Sequence, residues 1–297
     1  MAIDPQGLKA YPFPEIRSAY TARDTILYAL GVGFGIDPCD PRDLRFVYER
    51  HPAFAAVPSM AVVLGSPGIW IRDPRAGIDW RRALHGEERL ELFGDLPPEG
   101  EVAGRTRITA VLDKGGERGA LVVTSREIRE GADGSLLARV TSTVFCRGDG
   151  GFGAGFGQPP ALRGVPERPP DRRLALPGFP QQALLYRLSG DDNPLHADPA
   201  AAREAGFPRP ILHGRATFGM IARGILRECC GGDPSALEGI EGRFSAPLFP
   251  GEGIRLELWR EGREVAFRAR AEGDGRTVMD RGRALLGGDG RGNGGSW

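Results

Sequence analysis

The segment from Gly214 to Cys229 reads GRATFGMIARGILREC. Its apolar residues, which include Phe218, Ile221 and Ile225, recur around most of a helical circumference. A helix of that kind is stable in water only when other elements cover it on most sides. The segment therefore predicts a buried helix, and the rest of the chain has to supply its cover.

Four segments with strand-like composition follow this helix, at residues 240–248, 254–259, 265–271 and 277–286. Short polar turns separate the last three, as in consecutive hairpins. Apolar and charged residues alternate within 254–258, which is the pattern of a sheet with one covered face. An antiparallel sheet next to a buried helix predicts that the sheet wraps around the helix.

The first half of the chain shows the same order, with helical material before strands. A helix capped by Thr21 and ended by Gly31 is expected there. Its predicted inward residues are Ile26, Leu27 and Leu30. The apolar stretch 54–64 is interrupted by Pro58, so any helix there is short or begins at the proline. Three runs with a period of two then predict an antiparallel meander: 105–112, 120–125 and 136–145.

A composition break separates the two halves. Residues 147–180 are dense in glycine, proline and arginine and show no apolar period, which predicts an irregular connection. This connection divides the chain into an N-terminal repeat, 1–146, and a C-terminal repeat, 181–287. Residues 288–297 are glycine-rich and are expected to form a disordered tail.

The charge balance excludes some classes of partner. Lys plus Arg equals Asp plus Glu at 39 each among 297 residues, so no global field would attract nucleic acid or an anionic membrane surface. The N-terminus lacks a secretory pattern, and no apolar run approaches transmembrane length. The cysteines show no disulfide or metal spacing. These features predict a cytoplasmic protein with neither nucleic-acid nor membrane partners.

A polar loop precedes the predicted buried helix: Ser189-Gly190-Asp191-Asp192-Asn193-Pro194-Leu195-His196. Asn193 stands before a proline and is therefore pushed toward extended backbone dihedrals. The resulting bend can turn Asp191 and His196 toward a common point, with Asn193 between them to orient a carboxylate or a water. The loop predicts an acid–base pair that shares one water molecule. Taken alone, the same residues would equally suit a turn with a hydrogen-bonded histidine.

Ser189–His196 and Ile211–Gly214 resemble motifs of the hydratase 2 family, the R-specific enoyl-CoA hydratases related to MaoC dehydratases. Tyr20–Asp24, Tyr28–Gly33 and Arg147–Gly153 are also similar to segments of the two-repeat members, of the multifunctional enzyme type 2 kind. The resemblance implies an α+β double hotdog, in which each of two repeats wraps a helix in an antiparallel sheet. It also implies a homodimer. The catalytic groups would lie in the C-terminal repeat, while the N-terminal repeat accommodates the acyl chain.

The resemblance assigns roles residue by residue. Asp191 and His196 match the family's catalytic pair, and Asn193 matches the amide that supports them. The backbone N–H of Gly214 matches the oxyanion donor, and it has a physical ground of its own, because unpaired N–H groups and the positive end of the dipole lie where a helix begins. Two residues depart from the family pattern: Asp192 is expected to face solvent, and Arg215 to reach a CoA phosphate or cover the helix end.

The implied reaction is the reversible syn addition of water to a trans-2-enoyl-CoA, which gives a (3R)-3-hydroxyacyl-CoA. The protein would then be a hydro-lyase of fatty-acid or related acyl-CoA metabolism, such as β-oxidation, with no cofactor. Asp191 is favoured as the base and His196 as the proton donor, but the sequence leaves the opposite assignment open.

Other functions stay open at this point. One is dehydration of a 3-hydroxyacyl thioester on CoA or on a carrier protein. Another is a non-catalytic acyl-CoA-binding hotdog protein, although such a protein would have no need of the Asp191–His196 pair, and thioester hydrolysis gives no reason for this loop. A metal site from His196, His213 and the cysteines at 229 and 230 is not expected, because those thiols lie at the far end of the predicted helix. His213 is expected to be structural.

Overall fold

One antiparallel sheet runs through the whole described structure, a computed structural model in which residues 3–288 are described. The ten strands of this region are β1 Ile16–Tyr20, β2 Ala83–Leu92, β3 Gly100–Asp113, β4 Ala120–Glu130, β5 Leu136–Cys146, β6 Arg172–Leu176, β7 Leu237–Phe244, β8 Ile254–Glu261, β9 Glu264–Ala271 and β10 Thr277–Leu286. The six α-helices between residues 3 and 288 are α1 Pro5–Lys9, α2 Ala22–Gly31, α3 Pro41–Val47, α4 Gln182–Tyr186, α5 Pro199–Glu204 and α6 Gly214–Cys229.

The strand order shows how the two halves of the chain are joined. From one edge to the other it is β1-β3-β4-β5-β2-β7-β10-β9-β8-β6. The first five strands belong to the N-terminal half and the last five follow residue 170. The halves meet where β2 pairs with β7, with Leu90 opposite Ile240. The predicted meander is confirmed as β3, β4 and β5, which pair in sequence.

The predicted buried helix is confirmed as α6, whose Phe218, Ile221 and Ile225 are fully buried. The strands of the C-terminal half wrap around it, as predicted. A close approach at Gly219 brings the first half against the same helix, because a Cβ atom there would lie 2.4 Å from Val32 Cγ1. Both halves therefore share one hydrophobic core around α6.

The N-terminal half has no helix comparable to α6 within its described residues. The stretch interrupted by Pro58 forms one short 3₁₀ helix, Pro58–Val62, all of whose residues are buried. The proline cannot donate a backbone hydrogen bond and stands at the first helical position, so the helix begins there, as predicted. Such a short element covers only part of the inner face of β3, β4 and β5.

Two expectations were wrong in part. Helix α2 forms as predicted, but its buried residues are Thr25, Tyr28, Ala29 and Gly31. The predicted inward residues Ile26, Leu27 and Leu30 are only partly buried. The connection 147–180 is not irregular throughout, because β6 lies within it and pairs with β8. Five residues at a sheet edge are too few to give a periodic signal.

Residues 289–297 of the predicted tail lie outside the described residues. No helix between residues 3 and 288 has the length and apolarity needed to cross a bilayer.

Candidate active site

All four residues predicted for the site line one cavity between the halves of the chain. The cavity has a volume of about 570 Å³. Its wall on the C-terminal side includes Asp191, Asn193, His196 and Gly214. On the other side it meets the inner face of the N-terminal sheet. The predicted acid–base loop and the N-terminal half thus border a single space.

Local hydrogen bonds fold the polar loop into a bend. Gly190 adopts a φ of 104°, a left-handed conformation that suits glycine. Asp191 Oδ1 accepts from the backbone N–H of Asn193 at 3.3 Å. Asn193 Oδ1 in turn accepts from the N–H of Leu195 at 3.3 Å, and from Arg72 Nη2 of the N-terminal half at 3.3 Å. These contacts fix the loop from both halves of the chain.

The bend brings Asp191 and His196 together. A carboxylate oxygen of Asp191 and a ring nitrogen of each of His196 and His213 lie within 4.8 Å of one another. Neighbouring Asp192 is exposed, as predicted, so only one of the two adjacent carboxylates belongs to the site. The spacing suits a water molecule held between an acid and a base.

The tautomer of His196 follows from its backbone contact. Its Nδ1 lies 2.9 Å from the carbonyl oxygen of Ile211, so Nδ1–H donates and Nε2 keeps a free lone pair. Burial lowers the pKa of His196; the Ile211 carbonyl and Asp191 oppose this shift without cancelling it. His196 is therefore neutral near pH 7 and presents a proton acceptor.

His213 contacts both members of the predicted acid–base pair. Its Nε2–H donates to the backbone carbonyl oxygen of Asp191 at 3.2 Å. Its ring lies against that of His196, with centroids 3.8 Å apart. Burial, followed by the neighbouring His196, lowers the pKa of His213 to about 4. His213 is thus a neutral positioning residue. Only its place next to Gly214 in the sequence could have indicated this contact.

Gly214 is the first residue of α6, and His213 is its N-cap. The first N–H groups of a helix have no partner inside the helix and carry the positive end of its dipole. A Cβ atom at Gly214 would lie 3.3 Å from Phe244 Cε1, so a side chain there would be tightly confined. The helix start therefore offers backbone donors to an oxygen that gains negative charge.

The carboxylate of Asp191 and the ring nitrogens of His196 and His213 are also close enough together to be considered as ligands of a metal ion. However, Nδ1 of His196 and Nε2 of His213 are both engaged by backbone carbonyls. The buried thiols of Cys229 and Cys230 lie at the opposite end of α6, and burial raises the pKa of each to about 12. The arrangement suits a water held by hydrogen bonds better than a closed metal site.

A buried ionic group under the cavity was not predicted. Glu88 of β2 accepts from Arg215 Nε at 3.0 Å and from Ser142 Oγ at 2.7 Å, and it lies 2.6 Å from His85 Nε2. Burial alone would raise the pKa of Glu88, but Arg215 and then His85 outweigh it and lower the pKa to about 2. Arg215 is therefore paired with Glu88 inside the protein, a contact that neither of its two expected roles, binding a CoA phosphate or covering the helix end, included.

A second cavity lies away from this chemistry. Its volume is about 810 Å³, and its lining includes Phe93, Pro97, Asp233 and Glu238. None of the predicted site residues borders it. The smaller cavity is therefore the candidate active site, because it is the one that gathers the acid–base pair and the helix start.

Comparisons with known proteins cover both halves of the chain. The MFE-2 hydratase 2 N-terminal domain matches residues 18–148, and the MaoC-like domain matches residues 162–280. Enoyl-CoA hydratase ChsH3 of Mycobacterium tuberculosis is 38% identical over 269 residues, which cover 89% of this chain and 92% of that protein. The 3-hydroxyacyl-thioester dehydratase Y of the same organism is 38% identical over 290 residues, with 95% and 98% covered.

A solved structure has the same fold. The MaoC-like dehydratase from Phytophthora capsici superposes with a TM-score of 0.85 at 33% identity, covering 96% of this chain and 99% of that one. The architecture agrees with the predicted α+β double hotdog, in which the second repeat keeps the long central helix. On the strength of these full-length similarities, the chain belongs to the hydratase 2 family of MaoC-like, double-hotdog proteins.

Proposed function

We propose that the protein is an (R)-specific 2-enoyl-CoA hydratase, which adds water reversibly to a trans-2-enoyl-CoA and gives a (3R)-3-hydroxyacyl-CoA. One observation carries this proposal. The Asp191 carboxylate and an imidazole nitrogen of His196 converge within 4.8 Å, in the cavity that also receives the start of α6 at Gly214. A hydro-lyase needs this combination, since it must activate water, move a proton and stabilise an enolate.

The geometry supports a separate role for each of Asp191, His196 and the Gly214 N–H. A water between the two groups donates one hydrogen bond to Asp191 and one to Nε2 of His196. As the water oxygen bonds to C3, Nε2 takes its proton, and the electrons of the C2–C3 double bond move toward the thioester oxygen near Gly214 N–H. The imidazolium then returns the proton to C2, and Asp191 balances its charge. The resting tautomer thus favours His196 as the base, where the sequence alone favoured Asp191.

The syn outcome follows from one group serving both carbons. Oxygen and proton reach C3 and C2 from the same side, because the water and Nε2 lie on the same face of the substrate. The proton taken from water equals the proton delivered, so each turnover restores the enzyme without a cofactor. The (3R) configuration is proposed on family membership.

Dehydration of a 3-hydroxyacyl thioester is a second candidate, on CoA or on a carrier protein. The same groups run the reaction backward, and the dehydratase at 38% identity supports this direction. A silent acyl-CoA-binding protein is disfavoured, since the convergent pair would have no purpose in it. A homodimeric assembly, a cytoplasmic location and a place in β-oxidation remain proposals; sedimentation of the purified protein would test the first.

The direct test uses trans-2-enoyl-CoA thioesters of several chain lengths. Loss of the conjugated thioester absorbance measures hydration, and product chirality measures specificity. Formation of the 3S product, or release of free CoA, would overturn the proposal. Asp191→Asn and His196→Gln are expected to lower kcat by about 10³-fold or more while acyl-CoA still binds. Asp192→Asn, one residue away on the exposed side, is the matched control and should keep full activity.

A further inference from the structure

The cavity extends from the catalytic loop onto a polar surface of the N-terminal sheet. Thr106, Thr124, Arg126 and Ser142 line it there, beside Val140 and Val144. Their strand register explains why they share one face: Thr106 is opposite Arg126, and Thr124 is opposite Ser142. The inner face of a sheet that wraps a helix is ordinarily apolar. This part of the cavity is therefore unusual for a site that would receive a plain hydrocarbon chain.

The short Pro58–Val62 helix leaves this polar face open to the cavity. It is joined to the face through Arg126, whose Nη2 donates to the Val62 carbonyl oxygen at 2.7 Å and more weakly to that of Ala61 at 3.5 Å. A guanidinium group has five N–H donors, so this contact uses only a part of what Arg126 offers. Its Nε is buried and has no hydrogen-bond partner among the described residues.

Arg126 also lacks a counter-charge within the described structure. It is only 5% exposed, and the nearby carboxylate of Glu88 is already engaged by Arg215, His85 and Ser142. Burial, and after it the charge of Arg215, lowers the pKa of Arg126 to about 9. A buried cation without a paired anion is costly to maintain. A ligand that brings an acceptor oxygen would remove that cost.

We propose that the natural acyl group carries an electron-rich oxygen, as a carboxylate or a ketone, at a point beyond the reacting double bond, and that Arg126 binds this oxygen with help from the hydroxyl groups of Thr106 and Thr124. This inference rests on the proposed hydratase function and names its substrate class. The thioester end lies at Gly214 and Asp191, and the polar end lies on β4 and β5. The excess positive charge of the face favours the carboxylate.

The test compares acyl tails of matched length. Three series of trans-2-enoyl-CoA thioesters, ending in a methyl group, a terminal carboxylate or a methyl ketone, are assayed for hydration over a range of chain lengths. At the best length, kcat/KM for one oxygen-bearing series is expected to exceed that of the methyl series by about ten-fold or more, as a charge-assisted hydrogen bond in a buried site provides. The better of the two oxygen series identifies the group.

Variants assign the effect to Arg126. Arg126→Met is expected to lower the preference for the oxygen-bearing tail by about ten-fold. Arg129→Met, the same substitution three residues later on β4 at a surface ion pair with Glu127, should leave the preference unchanged. If Arg126→Met does not fold, Thr124→Val provides the second test, with a smaller loss of preference expected.

The failures of the two proposals are distinguishable. A wild-type protein that hydrates methyl-ended chains as well as the oxygen-bearing ones at every length overturns the substrate class and leaves the hydratase intact. An equal loss for all tails in Arg126→Met also overturns it, since Arg126 would then only support the Pro58–Val62 helix. No hydration in any series overturns the proposed function itself.

Discussion

His196 and His213 lie face to face, with ring centroids 3.8 Å apart and ring planes inclined by 31°. Each ring donates to a backbone carbonyl, His196 to Ile211 and His213 to Asp191. Two imidazolium ions at this distance would repel each other strongly. The stack therefore keeps at least one ring neutral, and the pKa shifts of both rings point to two neutral rings at pH 7.

Acid should destabilise the fold through His213. Its pKa falls from 6.5 to about 4 on folding, so the unfolded chain binds a proton that the folded chain refuses. The free energy of unfolding therefore has its full value above pH 6.5 and decreases as the pH falls toward 4, by about 3 kcal/mol in total. Urea unfolding at several pH values measures it. If the unfolding free energy of a His213→Phe variant falls with pH as steeply as that of the wild type, His213 is not the cause of the acid destabilisation.

Activity should have an acidic limb that belongs to His196. Its pKa is lowered from 6.5, so the Nε2 lone pair is available at neutral pH and is lost at lower pH. We expect kcat/KM for hydration to be level above about pH 6.5 and to fall about ten-fold per pH unit below the pKa of His196. A limb with its midpoint above pH 6.5 would contradict a neutral, buried base.

His213→Phe should lower turnover more than binding. The phenyl ring keeps the stack on His196 but cannot donate to the Asp191 carbonyl, so the carboxylate loses its position. We expect kcat to fall about ten-fold or more with KM changed less than about two-fold. His51→Phe, on a loop distant in sequence from the site, is the matched control. Equal kcat in the two variants would show that the hydrogen bond has no positioning role.

Gly214→Pro tests the oxyanion donor at the start of α6. Proline suits the first helical position, and His213 before it has the extended dihedrals that a proline requires, φ −56° and ψ 136°. The variant should fold and lose a single N–H, with kcat reduced by about 10²-fold. Gly214→Ala keeps the N–H and adds a methyl group against Phe244. If Ala is as damaging as Pro, crowding and not the donor accounts for the loss.

Glu88→Gln should destabilise the protein without touching the reacting groups. Arg215 would remain buried with no anion to pair with, which costs about 3 kcal/mol. Glu91→Gln on the same strand is the control, because Glu91 is 41% exposed and faces Arg139 at 3.9 Å. Chemical denaturation of both variants gives the difference in unfolding free energy. A second substitution, Arg215→Met, is expected to recover part of the stability lost in Glu88→Gln.

The C-terminal repeat could be predicted because its signals are local. Helix α6 starts at Gly214, and β10 spans 277–286, both as predicted. The apolar period of each element and the turns around it are contained in adjacent residues. The loop at Asp191 was also predictable, since a proline and side chain-to-backbone hydrogen bonds shape it within a few positions.

The charged parts of the cavity could not be predicted, because their partners are remote. Strand β2 reads ALHGEERLEL, a composition unusual for a strand, and its Glu88 is neutralised by Arg215, 127 residues away. The predicted run on β4 ended at residue 125, just before Arg126, although β4 continues to Glu130. An arginine followed by a glutamate gives no local sign of burial. The carbonyl that binds Arg126 belongs to Val62, 64 residues earlier.

The pairing of β2 with β7 fixes the ratio of the two proposed sites, one for water activation and one for the acyl tail. In an assembly of identical subunits every substitution appears in every copy, so a change that suits tail selection would also alter the water-activating loop. Here the two hotdogs are halves of one polypeptide, joined through Leu90 and Ile240. The sequence of each half can therefore change independently of the other, and every folded molecule would carry one proposed reaction centre and one proposed tail-binding site, which subunit exchange cannot separate.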